Sequence, residues 1–207
     1  MHAELTDFPD LQSSKAVPLH AKGATLQAMP VAGYLHLRSA GRGPELDGLT
    51  RMAQASIGAD LSRINALAPL PGGAATVDAF AMRTRPSEIV LFAVSADGRL
   101  DANRQAAFNA CQQAIANEPL LHAVDGRHGQ AAWRLSGPQA RSLLLRLGEA
   151  TSLPQTPGCA TRMRLAEMHV TLVWSDPESY LLLVDTLYAD FLTDRLVHAA
   201  GALDSSL

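Results

Sequence analysis

From Gly33 the chain alternates apolar and polar positions through Tyr34, Leu35, His36, Leu37 and Arg38, which predicts a half-buried strand. Gly41-Arg42-Gly43-Pro44 interrupts it, and Pro44 suits the first turn of a helix carrying Leu46, Leu49, Met52 and Ala53 inward and ending near Gly58. Asn65 to Ala75 contains Pro69, Pro71, Gly72 and Gly73 and reads as a surface loop. Val77 to Met82 and Glu88 to Val94 then read as a hairpin. Asp101 is placed to cap a helix whose Phe108, Cys111 and Ile115 fall on one face.

The same grammar continues toward the C-terminus. Leu120 to Val124 and Gln130 to Ser136 flank Asp125-Gly126, a hairpin signal, and Trp133 and Leu135 share a face of the second strand. Ser136-Gly137-Pro138 stops that strand and opens a helix with an apolar stripe of Ala140, Leu143, Leu144 and Leu147, ended by Gly148. Met168, Val170, Leu172 and Trp174 alternate with His169, Thr171 and Val173 along another strand. The turn Ser175-Asp176-Pro177-Glu178 leads into Tyr180 to Val184, and a last helix carries Tyr188, Leu192, Leu196 and Ala199 inward. Strand pairs joined by short turns force antiparallel neighbours, so the fold class is α+β, mainly antiparallel sheets with packed helices. Residues 1–30 lack periodicity and read as an extended N-terminal arm. Residues 31–207 then form a single α+β domain, divisible into subdomains of about 31–118 and 119–207.

Composition narrows the function classes. A hydrophobic content of 47% excludes a disordered chain, and no apolar run approaches the roughly 20 residues needed to span a bilayer. A net charge of −3 offers no phosphate-neutralising surface for nucleic acid. Charged residues make up 18%, below the usual ~25%, and Lys15 and Lys22 are the only lysines, so part of the surface is expected either to be covered by a partner or simply to be diluted by alanine. Cys111 and Cys159 form no CxxC or metal-spaced cluster, and the N-terminus has no secretory pattern, which fits a reduced, cytoplasmic chain.

The chemistry-bearing residues are sparse. His122 and His128 flank Asp125 and suggest a metal pair, but a two-residue turn there would direct them to opposite faces. His169 alternates with a buried set and belongs on a solvent or partner face. Gly41-Arg42-Gly43-Pro44 lacks both phosphate-loop and dinucleotide spacings, so it reads as a connector. No serine sits in a GxSxG elbow, and Cys111 is most simply a small core residue. Residue spacing alone therefore assigns no catalytic, cofactor-binding or metal site.

The run Ala132-Trp133-Arg134-Leu135-Ser136-Gly137-Pro138-Gln139-Ala140, then Leu143-Leu144, Gly158-Cys159-Ala160-Thr161-Arg162-Met163-Arg164-Leu165 and Tyr180-Leu181-Leu182-Leu183-Val184, resembles the gamma subunit of heterotetrameric sarcosine oxidase. Similarity covers about Gln130 to Ala200, with weaker echoes at Ala59-Asp60-Leu61 and Pro86-Ser87-Glu88. Thr186-Leu187-Tyr188-Ala189 stands where the family commonly has an Arg-Ser-Phe-Ala run, which leaves open another N-methyl amine or amino acid as substrate of the complex. The resemblance implies an aminomethyltransferase-like, folate-binding-type fold used as a non-catalytic subunit beside alpha, beta and delta subunits. It also implies that FAD, FMN, NAD and tetrahydrofolate belong to the whole complex, with no cofactor in this chain. Arg134 and Tyr188, which flank the family-like segments, are the expected partner-interface anchors. The competing expectation is a free-standing folate-dependent one-carbon enzyme or folate-binding protein of the same superfamily. A small-ligand binding module without an enzyme partner is a third.

Overall fold

The computed structural model describes residues 16–18, 23–41, 46–72 and 77–204. In chain order the elements are β1 (Ala16–Pro18), β2 (Thr25–Met29), β3 (Val31–Ser39), α1 (Leu46–Ile57), β4 (Leu67–Pro69), β5 (Val77–Arg85), β6 (Glu88–Ser95) and α2 (Ala102–Ala116). There follow β7 (Leu121–Asp125), β8 (Gln130–Ser136), α3 (Ala140–Leu147), β9 (Cys159–Leu165), β10 (Met168–Asp176), β11 (Ser179–Asp185) and α4 (Ala189–Asp204). They build two antiparallel sheets, one ordered β1-β2-β8-β11-β10-β9 and the other β4-β5-β6-β3-β7. The α+β class read from the turns is the one observed.

Three apolar clusters divide the interior into layers. Leu135, Leu143, Leu144, Val170, Leu172, Leu182, Leu192 and Leu196 join α3 and α4 to the outer face of the first sheet. Leu35, Leu37, Leu49, Ile89, Leu91, Phe108 and Cys111 join α1 and α2 to the outer face of the second. Met82, Val90, Phe92, Val94, Val173, Leu181 and Leu183 fill the space between the sheets. A sheet covered on both sides needs central strands apolar on both faces, which is why β6 and β11 read as nearly continuous apolar runs rather than alternating ones.

Several elements form for the reasons their residues supply. The Asp101 carboxylate accepts the Arg104 N–H at the start of α2, and Phe108, Cys111 and Ile115 are buried along it. Leu49, Met52 and Ala53 are buried on α1, which ends at Gly58 with φ +67. The helix entry expected at Pro44, the Gly41–Pro44 turn beyond Gly41, and the Leu46 side chain lie outside the described residues. At Gly137 the backbone has φ +106, and a Cβ there would lie 2.0 Å from the Gly23 carbonyl oxygen, so the strand-to-helix junction requires glycine on two counts.

Four expectations are corrected. Asp125-Gly126 does not close a hairpin: β7 pairs with β3 while β8 pairs with β2 and β11, so the chain changes sheet there. The Asp125 carboxylate accepts the Arg127 N–H and Gly126 has φ −113, which starts a one-turn 3-10 helix (Arg127–Gly129) instead of a hairpin turn with positive φ. The arm expected over residues 1–30 contains β2, paired with β8 and burying Leu26 and Met29; residues 1–15 and 19–22 lie outside the described residues. The loop expected over Asn65 to Ala75 contains β4, paired with β5. Tyr188 does not face inward: it belongs to a short 3-10 turn (Thr186–Tyr188), is half-exposed, and leaves the inward position to Ala189. The first strands thus belong to the C-terminal sheet, and the chain changes sheet between Asp125 and Gln130.

Candidate functional site

At one end of the inter-sheet space the apolar filling gives way to a cleft of about 590 Å³, within the range of small-molecule sites. The strand registers dictate this change. On the inner face, β6 runs Val94, Phe92, Val90, Glu88, while β10 runs Val173, Thr171, His169 and β9 runs Ala160, Arg162, Arg164. Successive residues on one face of a strand are two apart, so each strand passes from apolar to polar in the same direction. Tyr34 and His36 of β3 continue the pattern on the facing sheet.

Glu88 organises one wall. Its side chain is only 4% exposed, and its carboxylate lies 3.3 Å from Arg38, 3.6 Å from Arg85 and 3.7 Å from the His36 Nε2. The Thr84 hydroxyl donates to it at 3.5 Å. This buried charge therefore has partners on both neighbouring strands, β3 and β5, as a desolvated carboxylate requires. Burial pushes the His36 imidazole below its ordinary pKa, outweighing the opposite pull of Glu88, and the Arg38 and Arg162 charges act in the same direction as burial. Burial also raises the Tyr34 hydroxyl, against the lowering influence of Arg162.

The opposite wall carries Arg162, Thr171 and Leu183 in one cross-strand row of β9, β10 and β11. Near the change of sheet, Asp125, His128, Gln130, Asp185 and Tyr188 complete the lining. The Asp185 carboxylate accepts the Leu187 N–H, just as Asp125 accepts that of Arg127. His169 is exposed, as its alternation implied, and forms part of the cleft.

The other residues singled out from sequence are dispersed. Of the proposed histidine pair only His128 lines the cleft; His122 sits on β7 opposite Arg38. Among the described residues no group of three or more His, Cys, Asp or Glu side chains is placed to hold a metal ion. Cys111 is fully buried and burial pushes its thiol up to about 11, so it is unreactive core. Arg134 points from β8 to the other sheet, where it is ion-paired with Asp78 of β5. Tyr188 stands at the cleft rim beside Leu187, which is 86% exposed. Tyr34, His36, Glu88 and Arg162 were not identified from sequence. Their one signal was polarity on the strand faces opposite the core, and nothing in the sequence says which strands face one another.

No protein-family model matches the chain, and no curated protein matches it by sequence. Solved structures do. A chain of the heterotetrameric sarcosine oxidase from Corynebacterium sp. U-96, solved in complex with pyrrole 2-carboxylate, matches with a TM-score of 0.68 at 19% identity over 93% of this chain and 90% of that one. The glycine cleavage system aminomethyltransferase T from Bartonella henselae matches with a TM-score of 0.55 at 14% identity, over 86% of this chain and 47% of that one. The chain has the fold shared by these proteins. It spans about half of the aminomethyltransferase. Among the described residues no helix is long and apolar enough to cross a membrane.

Proposed function

We propose that the chain is a non-catalytic, gamma-type subunit of a heterotetrameric sarcosine oxidase-type complex, acting on sarcosine or a related N-methyl amine in the cytoplasm. The observation that carries this reading is the span of the likeness: it covers 90% of a sarcosine oxidase chain but 47% of the aminomethyltransferase. In this reading alpha, beta and delta subunits are the partners, and FAD, FMN, NAD and tetrahydrofolate are held outside this chain.

An exposed apolar surface supports it. Leu187, Tyr188, Phe191 and Val197 are exposed around the start and outer face of α4, where Arg195 lies over the Phe191 ring, and aromatic and arginine side chains of this kind are enriched at protein interfaces. Tyr188 serves as an anchor there, and Arg134, whose ion pair to Asp78 leaves it about one-third exposed, is the second proposed contact. The test is co-expression with alpha, beta and delta subunits of such a complex. The expected outcome is a coloured hetero-oligomer that oxidises an N-methyl amine, with Tyr188→Ser lowering its yield without shifting the melting temperature of the isolated chain. A monomer that ignores those subunits overturns the reading.

The inter-sheet cleft favours a second reading, the free-standing folate-dependent enzyme or folate-binding protein. Turnover of a tetrahydrofolate substrate by the isolated chain would select it.

A further inference from the structure

We propose that the inter-sheet cleft binds a small organic monocarboxylate with an apolar body, the carboxylate received by Arg162. This concerns the cleft alone and does not depend on the subunit reading; either can fail while the other stands.

Most of the arginines around the cleft are already matched by carboxylates. Arg38 and Arg85 lie on Glu88, and Arg164 is ion-paired with Glu167. Arg162, in the same polar zone and lining the cleft, has neither an ion pair nor a hydrogen bond among the described residues. Its guanidinium is a permanent cation with planar donors suited to a carboxylate. Thr171, directly across the strand pair, brings a hydroxyl to the same row. Tyr34 and His36 on the facing sheet feel the Arg162 charge. Their hydroxyl and imidazole groups are neutral hydrogen-bonding partners at neutral pH, so the arginine without an ion pair at this end is Arg162.

The rest of the lining limits the ligand. Val90, Val124 and Leu183 offer apolar surface for its body. Asp185 lies on β11, two strands from Arg162 on β9 and two residues beyond its row, roughly 12 Å away by ordinary strand spacing. Asp125 joins it on that side of the lining. A second negative group on the ligand would approach these carboxylates, which favours one carboxylate over two and over a multiply charged phosphate.

Titration calorimetry of the full chain tests this with benzoate as probe, against benzamide, phthalate and inorganic phosphate. Benzoate is expected to bind saturably at one site, with benzamide and phthalate each about tenfold weaker or worse. Arg162→Gln should weaken benzoate by about tenfold or more while the exposed, distant Arg51→Gln leaves it unchanged. Circular dichroism melts of both variants check that the fold is intact, and Thr171→Val gives an independent, smaller loss. No benzoate binding, equal binding by Arg162→Gln, or phosphate binding as tight as benzoate would each overturn the proposal.

Discussion

The two ends of the inter-sheet space are made by the same strands and do opposite things. At one end Met82, Phe92, Val94, Val173 and Leu181 close the sheets over a dry contact. At the other, one or two steps along β3, β6, β9 and β10, Tyr34, His36, Glu88, Arg162 and His169 hold the sheets apart around a cleft. Backbone pairing continues across the boundary, so secondary structure does not distinguish a wall of the core from a wall of a site. The inner-face residue at each step decides it, through the cost of burying a polar group against an apolar one.

The largest loss of stability is expected at the dry end. Phe92→Ala, which removes a fully buried ring packed 5.6 Å from that of Phe80, should destabilise the chain by about 3–5 kcal/mol in chemical denaturation. At the wet end Glu88→Gln leaves Arg38, Arg85 and His36 without their common anion. Because both arginines are more than half exposed, the loss should be smaller, about 1–3 kcal/mol in the same measurement. A wet-end loss matching that of Phe92→Ala would erase the distinction.

His36 makes the wet end sensitive to pH. Its folded pKa is lowered, so the unfolded chain binds more protons as pH falls below the ordinary value of about 6.5. The stability associated with neutral His36 is therefore present above that pH and lost as pH falls toward the folded pKa. His36→Gln should flatten the melting-temperature profile on the acid side of about 6.5 and change little above it. The smallest effect belongs to the rim. Ala166 and Glu167, with φ +48 and +69, form the two-residue turn between β9 and β10. Replacing them with Asn and Gly should raise stability by about 1 kcal/mol, read as a higher denaturant midpoint.

Local order was largely legible in the sequence. The Asp101 cap, the buried stripe of α2 and the alternation of β10 each follow from residues close in the chain. What escaped depends on distant partners. Thr25–Met29 carries no clear period of its own, because its role as a strand is supplied by β8 more than a hundred residues later. Asp125-Gly126 has the composition of a hairpin turn, and only the pairing of β7 with β3 shows that it is a crossing. The cleft was hidden for the same reason: Glu88 and Arg162 share no motif, and the facing of two sheets brings them to one space.

The passage of β2 into the C-terminal sheet makes the two halves topologically interlocked. The chain enters that sheet at β1 and β2, leaves through Pro30 to build the other, and returns between Asp125 and Gln130. On the far edge, hydrogen bonding between Asn65 and Ala160 and the bridge from Ala66 to Cys159 tie the sheets again. A fragment beginning at β8 would lack the neighbour that covers one edge of that strand, and a fragment ending at β7 would carry the β1-β2 pair with the β8 side of β2 left bare. The consequence is cooperativity: the two layers should melt in one transition, and separately made halves should gain order by complementing each other rather than by folding apart.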